Sequence, residues 1–150
     1  MTAKTTELQA ISNMLIDRWE QTGAKLASLA GEFPEERYET APVAGVRTLG
    51  DVLRHVAFWN HYVADMALGR QANSDANELP KQKYATKDQI LTALTASTAE
   101  AANACRERHG GFDPESAALA ENFIEHISEH YGQLVVYARW AGVVPPASRG

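Results

Sequence analysis

Apolar residues recur three and four positions apart in four separate stretches of this chain, and no stretch carries the alternation of a half-buried strand. Such spacing gathers side chains on one face of a helix. In the first stretch, Thr6 to Ala30, the stripe is Leu8, Ile11, Leu15, Trp19, Thr22, Leu26 and Leu29, with Gly31 as a stop. The second covers 48–69. Thr48 and Asp51 give a capping signal, Leu49, Val52, Val56, Val63 and Met66 the buried face with Trp59 at its edge, and Gly69 the end. The third, 86–108, starts on a second capping signal, Thr86 with Gln89, carries Ile90, Leu94, Ala101 and Cys105 on one side, and stops at Gly110-Gly111. The fourth, 114–141, opens on Asp113-Pro114, an N-cap followed by proline at the first helical position. Its seam is Phe123, Ile127, His130, Leu134 and Ala141, and Gly142 with Pro145-Pro146 prevents continuation.

Four amphipathic helices without strands bury their stripes best as an all-α four-helix bundle, one domain over residues 1–150. Residues Glu32 to Arg47 read as a long surface connection and Gln71 to Tyr84 as a polar loop. Connections of that length permit a crossover, so simple up-down-up-down order is not forced.

The formal charge of −5 and scattered Lys and Arg argue against a nucleic-acid or anionic-membrane surface. No apolar run approaches the ~18 residues of a spanning helix. No apolar segment follows the N-terminus, so no signal peptide is expected. Cys105 is the only cysteine, which rules out an intrachain disulfide and fits a cytoplasmic location; it reads as a buried small hydrophobe.

One constellation carries chemistry. His126 and His130, four apart, share a helical face on which two imidazoles can hold one metal ion. His130 falls on the seam, where the pattern asks for leucine, so its ring needs a partner: a metal or a buried hydrogen bond. His55, beside the apolar face of the second helix, is the best third ligand, with a hydrogen-bonded core-edge histidine as the alternative. His61 is rotated about 120° from His55, and His109 sits at a Gly-Gly helix end. The run His126-Ile127-Ser128-Glu129-His130 also matches the H-x-x-E-H pattern of inverzincin peptidases. Those enzymes need a further acidic ligand well downstream, and none of the 20 residues after His130 is Asp or Glu.

Three motifs in order give the chain a family likeness. They are Trp19 followed by Pro42, Gly45 and the lead-in Val46 through His55; His126, His130 and then Tyr131-Gly132-Gln133-Leu134; and Arg139 followed by Gly142 through Pro146. Over nearly its whole length the chain resembles the DinB-like (DinB/YfiT) metalloenzymes. The resemblance implies up-down-down-up helix order and a three-histidine metal site at His55, His126 and His130. It implies a divalent cofactor, zinc or nickel foremost, and a homodimer. Characterised relatives include S-transferases using bacillithiol and mycothiol-dependent maleylpyruvate isomerases. Tyr131 departs from the pattern, since members often carry a second histidine or an arginine there.

Three neutral imidazoles leave a coordination position open, as catalytic sites do. The expected function is therefore a metal-dependent transferase or isomerase acting on a small molecule with a low-molecular-weight thiol as cosubstrate. A metal-assisted hydrolase and a non-catalytic metal-binding or dimerising bundle stand beside it. Helical spacing makes Gln133 and Glu129 the candidate catalytic residues, with Asn122 holding the ring of His126. Trp59 and Tyr137 are candidates for lining the pocket, and Trp140 and Tyr62 for facing outward toward a partner chain.

Overall fold

The computed structural model describes residues 3–108 and 114–149, with the side chains of 7–108 and 118–149. It contains α1 (Ala3–Gly31), α2 (Leu49–Ala67), α3 (Lys87–Glu107) and α4 (Pro114–Trp140). Among the described residues there is no strand. The expected stop at Gly110-Gly111, the cap at Asp113 and His109 lie outside the described residues.

Both expected caps form. The Thr48 hydroxyl accepts the Asp51 N–H at 3.1 Å and donates to the Asp51 carboxylate at 2.8 Å. At the head of α3, Thr86 and Gln89 bond each other's backbone N–H reciprocally. Each cap satisfies donors that a helix start otherwise leaves orphaned.

Paired contacts fix the direction of every helix. Asn60 bonds Ser97 and Thr98, His61 meets Glu100, and Ala64 and Ala67 pack on Ala104, so α2 and α3 run parallel. Trp19 stacks on Phe123 and Lys25 lies over Tyr131, so α1 and α4 run parallel. Arg106 reaches back to Asp17 and Glu20 while Lys87 reaches the carbonyls of Gly31 and Phe33, so α1 and α3 are antiparallel. His55 meets His130 while Tyr62 meets Phe123, so α2 and α4 are antiparallel as well. The result is a four-helix bundle in up-down-down-up order, with α1 diagonal to α2. The 68–86 connection accordingly returns along the bundle to start α3 beside the start of α2.

Three expectations about burial need correction. Leu8 and Ile11 are exposed, because the inward line of α1 runs through Ser12, Ile16, Trp19, Gly23, Leu26 and Ala30. Ile11 is one residue, about 100°, off that line, and its place is taken by a small serine that hydropathy does not reveal. Met66 is exposed because Ala64 and Ala67 occupy the inward positions at the end of α2. The 32–47 segment is more than a surface connection. Phe33 and Tyr38 are buried, and the Tyr38 hydroxyl donates to the Ala30 carbonyl at 2.8 Å, folding the segment over the bundle end. The Tyr38 carbonyl then accepts the Gly50 N–H at 2.6 Å, and a Cβ on Gly50 would come within 2.9 Å of that oxygen. Glycine is needed there for close approach.

Candidate metal centre

His55 projects from α2, and His126 and His130 from α4, into the space between the two helices. The Nε2 atoms of His55 and His126 are 3.0 Å apart, and those of His126 and His130 are 3.1 Å apart. One nitrogen from each ring lies within 4.8 Å of the other two. Nitrogens sharing one ion at roughly 2.0–2.1 Å are about 2.9–3.4 Å from each other, so the spacing fits a common cation.

Hydrogen bonding fixes what each nitrogen offers. His55 Nδ1 sits 2.8 Å from the Asn77 carbonyl, which can only accept. Nδ1 therefore carries the proton and Nε2 presents a lone pair. On the other side, the Tyr137 hydroxyl donates to the Arg47 carbonyl at 2.7 Å and so accepts from Gln133 Nε2 at 3.1 Å. That orients the amide with Gln133 Oε1 toward His130 Nδ1, 2.8 Å away, which must donate. His130 Nε2 thus presents a second lone pair. His126 Nε2 lies between the two and can donate to only one of them, while its Nδ1 is buried with no partner among the described residues. Without a cation, lone pairs confront one another; with one, all three point at it. Among the described residues no fourth side chain of ligand type joins the group.

The pocket keeps these rings neutral. Burial is the leading cause in each case, and all three imidazoles take protons below the ordinary 6.5. His126 goes down to about 4, through burial and then the neighbouring His130, His55 and Arg47. At pH 7 the lone pairs are free for a metal. Unfolded imidazoles protonate near 6.5 and the folded pocket resists, so the stability available to neutral rings is full above 6.5 and is lost as pH falls toward 4. We expect the Tm of metal-free protein to drop between pH 6.5 and 4.5 in circular-dichroism melts, with His126→Gln flattening the drop. Parallel curves for the two proteins would refute this.

The remaining sequence-derived residues fall as follows. Gln133 is the outer partner of His130, and half-buried Tyr137-facing contacts make it the middle of a relay ending at the Arg47 carbonyl. Tyr137 itself is buried and stands behind Gln133. Trp59 contacts His55 edge-on at 6.3 Å and belongs to an aromatic wall with Tyr62 and Phe123. Tyr62 is thereby half-buried, which corrects its expected outward position, whereas Trp140 is exposed under the Arg37 guanidinium. Glu129 is exposed, its charge favouring protonation of His130. Asn122 is exposed and does not hold His126, whose Nδ1 has no partner among the described residues. His61 pairs with Glu100 on the far side of α2.

Helical spacing does not point to Asn77, Glu78 or Arg47, which stand beside the histidines. Asn77 has a left-handed φ of 58°, accepts His55 with its carbonyl and takes the Trp59 indole N–H on its Oδ1 at 2.9 Å. Asparagine tolerates that conformation better than most residues. Glu78 pairs with Arg47 at 2.6 Å. Only an asparagine in a polar loop hinted at any of this. Gln133→Leu removes the acceptor of His130 Nδ1 and should lower metal affinity about 10–100-fold, measured by competition with a chromophoric chelator. Unchanged affinity would show that the relay does not orient the ring.

Comparison with protein families gives a match to the sequence model described as DinB superfamily over residues 18–134, which include all three histidines. Comparison with curated proteins gives no match.

Proposed function

The chain belongs to the DinB superfamily, and from that membership and the site geometry we propose that it is a divalent-metal-dependent enzyme transferring a low-molecular-weight thiol to a small electrophile. One observation carries the reading: three imidazole nitrogens converge, two with lone pairs fixed by hydrogen bonds, and no fourth described ligand closes the set. A structural ion would be enclosed by four protein ligands, so the open position favours catalysis. Zinc and nickel both suit an all-imidazole set. Such an ion supplies Lewis acidity, bringing a thiol from its ordinary pKa of about 8.5 toward neutrality.

The protein's own groups do the rest. The Asn77 carbonyl and Gln133 amide hold two rings in the ligating tautomer. Glu129, at the solvent edge, accepts the thiol proton. The aromatic wall of Trp59, Tyr62 and Phe123 excludes water and packs the apolar part of the electrophile. Sulfur forms the new C–S bond with its electron pair, and the leaving group departs with the pair of the broken bond. Cys105 has no part in this, since burial pushes its thiol pKa up and it packs against the core.

The test is to incubate metal-loaded and metal-free protein with several small thiols and monochlorobimane, following thioether fluorescence. Thioether formation faster with the loaded protein is expected. Equal rates for every thiol would overturn the proposal in favour of a hydrolytic or non-catalytic metal site.

A further inference from the structure

Arg47 joins the two supports of the metal centre. Its backbone carbonyl ends the chain from His130 through Gln133 and Tyr137. Its side-chain Nε is bonded to Glu78, the residue after Asn77, whose carbonyl holds His55. The side chain thus spans from the outer partners of His130 to the loop that holds His55. Glu78 engages only Nε, so among the described residues both terminal nitrogens of Arg47 are without a protein partner. They form an end-on fork on a side chain only partly exposed to solvent.

Charge gives that fork a purpose. Imidazoles ligate as neutral rings, Arg47 and Glu78 cancel, and with Glu129 at the solvent edge a divalent ion would still leave the pocket at +1. Neutral ligands favour an anion in such a place, and the planar guanidinium fork matches the two oxygens of a carboxylate. We propose that Arg47 recognises a carboxylate on the small molecule that enters the metal centre, so that the substrate is an organic acid. This rests on the metal-enzyme reading and adds the substrate class to it.

Arg47→Gln and Arg47→Lys leave the backbone carbonyl, and hence the Tyr137 contact, in place. Calorimetric titration of metal-loaded protein with succinate, and with neutral succinamide as control, reads the site without turnover. Elemental analysis of each protein reports separately whether the metal centre is intact. Succinate is expected to bind wild type at one site. With full metal content, Arg47→Gln should bind it at least tenfold more weakly, Arg47→Lys should be intermediate, and succinamide should bind none of them. Equal succinate affinity in wild type and Arg47→Gln at equal metal content would overturn this inference alone, as would a metal-loaded wild type that ignores succinate. A wild type that takes up no metal would overturn the metal reading and this inference together.

Discussion

His130→Ala should purify without bound metal under conditions in which the wild type retains one ion per chain. Removing an outer-shell partner of a ligand costs about 10–100-fold in affinity, and losing the ligand itself costs more. The remaining pair, His55 and His126, comes from two different helices and lacks the i, i+4 chelate. Elemental analysis of both proteins checks the result, and equal metal in each would remove the three-histidine site from consideration. The fold should survive, because His130 is only half-buried and its ring faces the pocket. Metal-free His130→Ala should melt no lower than metal-free wild type, since one of the confronting lone pairs is gone. The contrast appears on adding metal. Wild type at a thousandfold excess over Kd gains about 4 kcal/mol, while the variant gains almost nothing.

His130 also shows what local sequence can disclose. A histidine on a leucine seam, four residues from another, marks a site because helical periodicity is regular and short-range. His55 could be proposed because α2 has a clear apolar face against which its position is measured. Helix existence was legible for the same reason, and the caps at Thr48 and Thr86 placed two starts. What stayed hidden is set by tertiary packing. Leu8 and Ile11 continue the stripe of α1 in pattern, yet the neighbouring helices select the Ser12 line. Asn77 lies 22 residues from His55, and nothing in a polar loop says which carbonyl will meet an imidazole on a helix. Helix order likewise could not come from periodicity. It follows from which faces pair, as the Asn60 contacts with Ser97 and Thr98 show for the parallel α2 and α3. Arg54 was equally out of reach: nothing in local spacing says that a charged residue beside a candidate ligand will be buried, and it is 1 % exposed.

Arg54→Ala should destabilise the fold by about 3 kcal/mol, the low end of the cost of breaking a buried ion pair from one side. Its Nη1 donates to the Tyr84 carbonyl at 2.9 Å, and its Nη2 to Asp51 at 2.6 Å and Glu39 at 3.1 Å. One side chain thus ties the 32–48 and 68–86 connections to the start of α2. The cost stays at the low end because Asp51 and Glu39 are partly exposed and can be rehydrated. Arg54→Met fills more of the volume and removes the Nε that is buried without a partner among the described residues, so it should cost less than alanine. Urea denaturation with unchanged m-values would measure both, and a loss below 1 kcal/mol for alanine would refute the clamp. Acid gives an independent check. Burial pulls the Asp51 carboxyl up, but hydrogen bonds from Arg54 and Thr48, with the charges of Arg54 and Lys81, together more than offset this and hold it below 3.8. Its contribution is present above 3.8 and is lost as pH falls through the lower folded value, so Arg54→Met, which keeps only the Thr48 bond and the Lys81 charge, should show a smaller loss than the wild type. The clamp reaches the candidate metal centre as well, since the Arg54 Nη1 bond to the Tyr84 carbonyl holds the end of the segment that carries Asn77. Loosening that segment frees the carbonyl that orients His55, so Arg54→Ala should bind metal about tenfold more weakly even where it is fully folded.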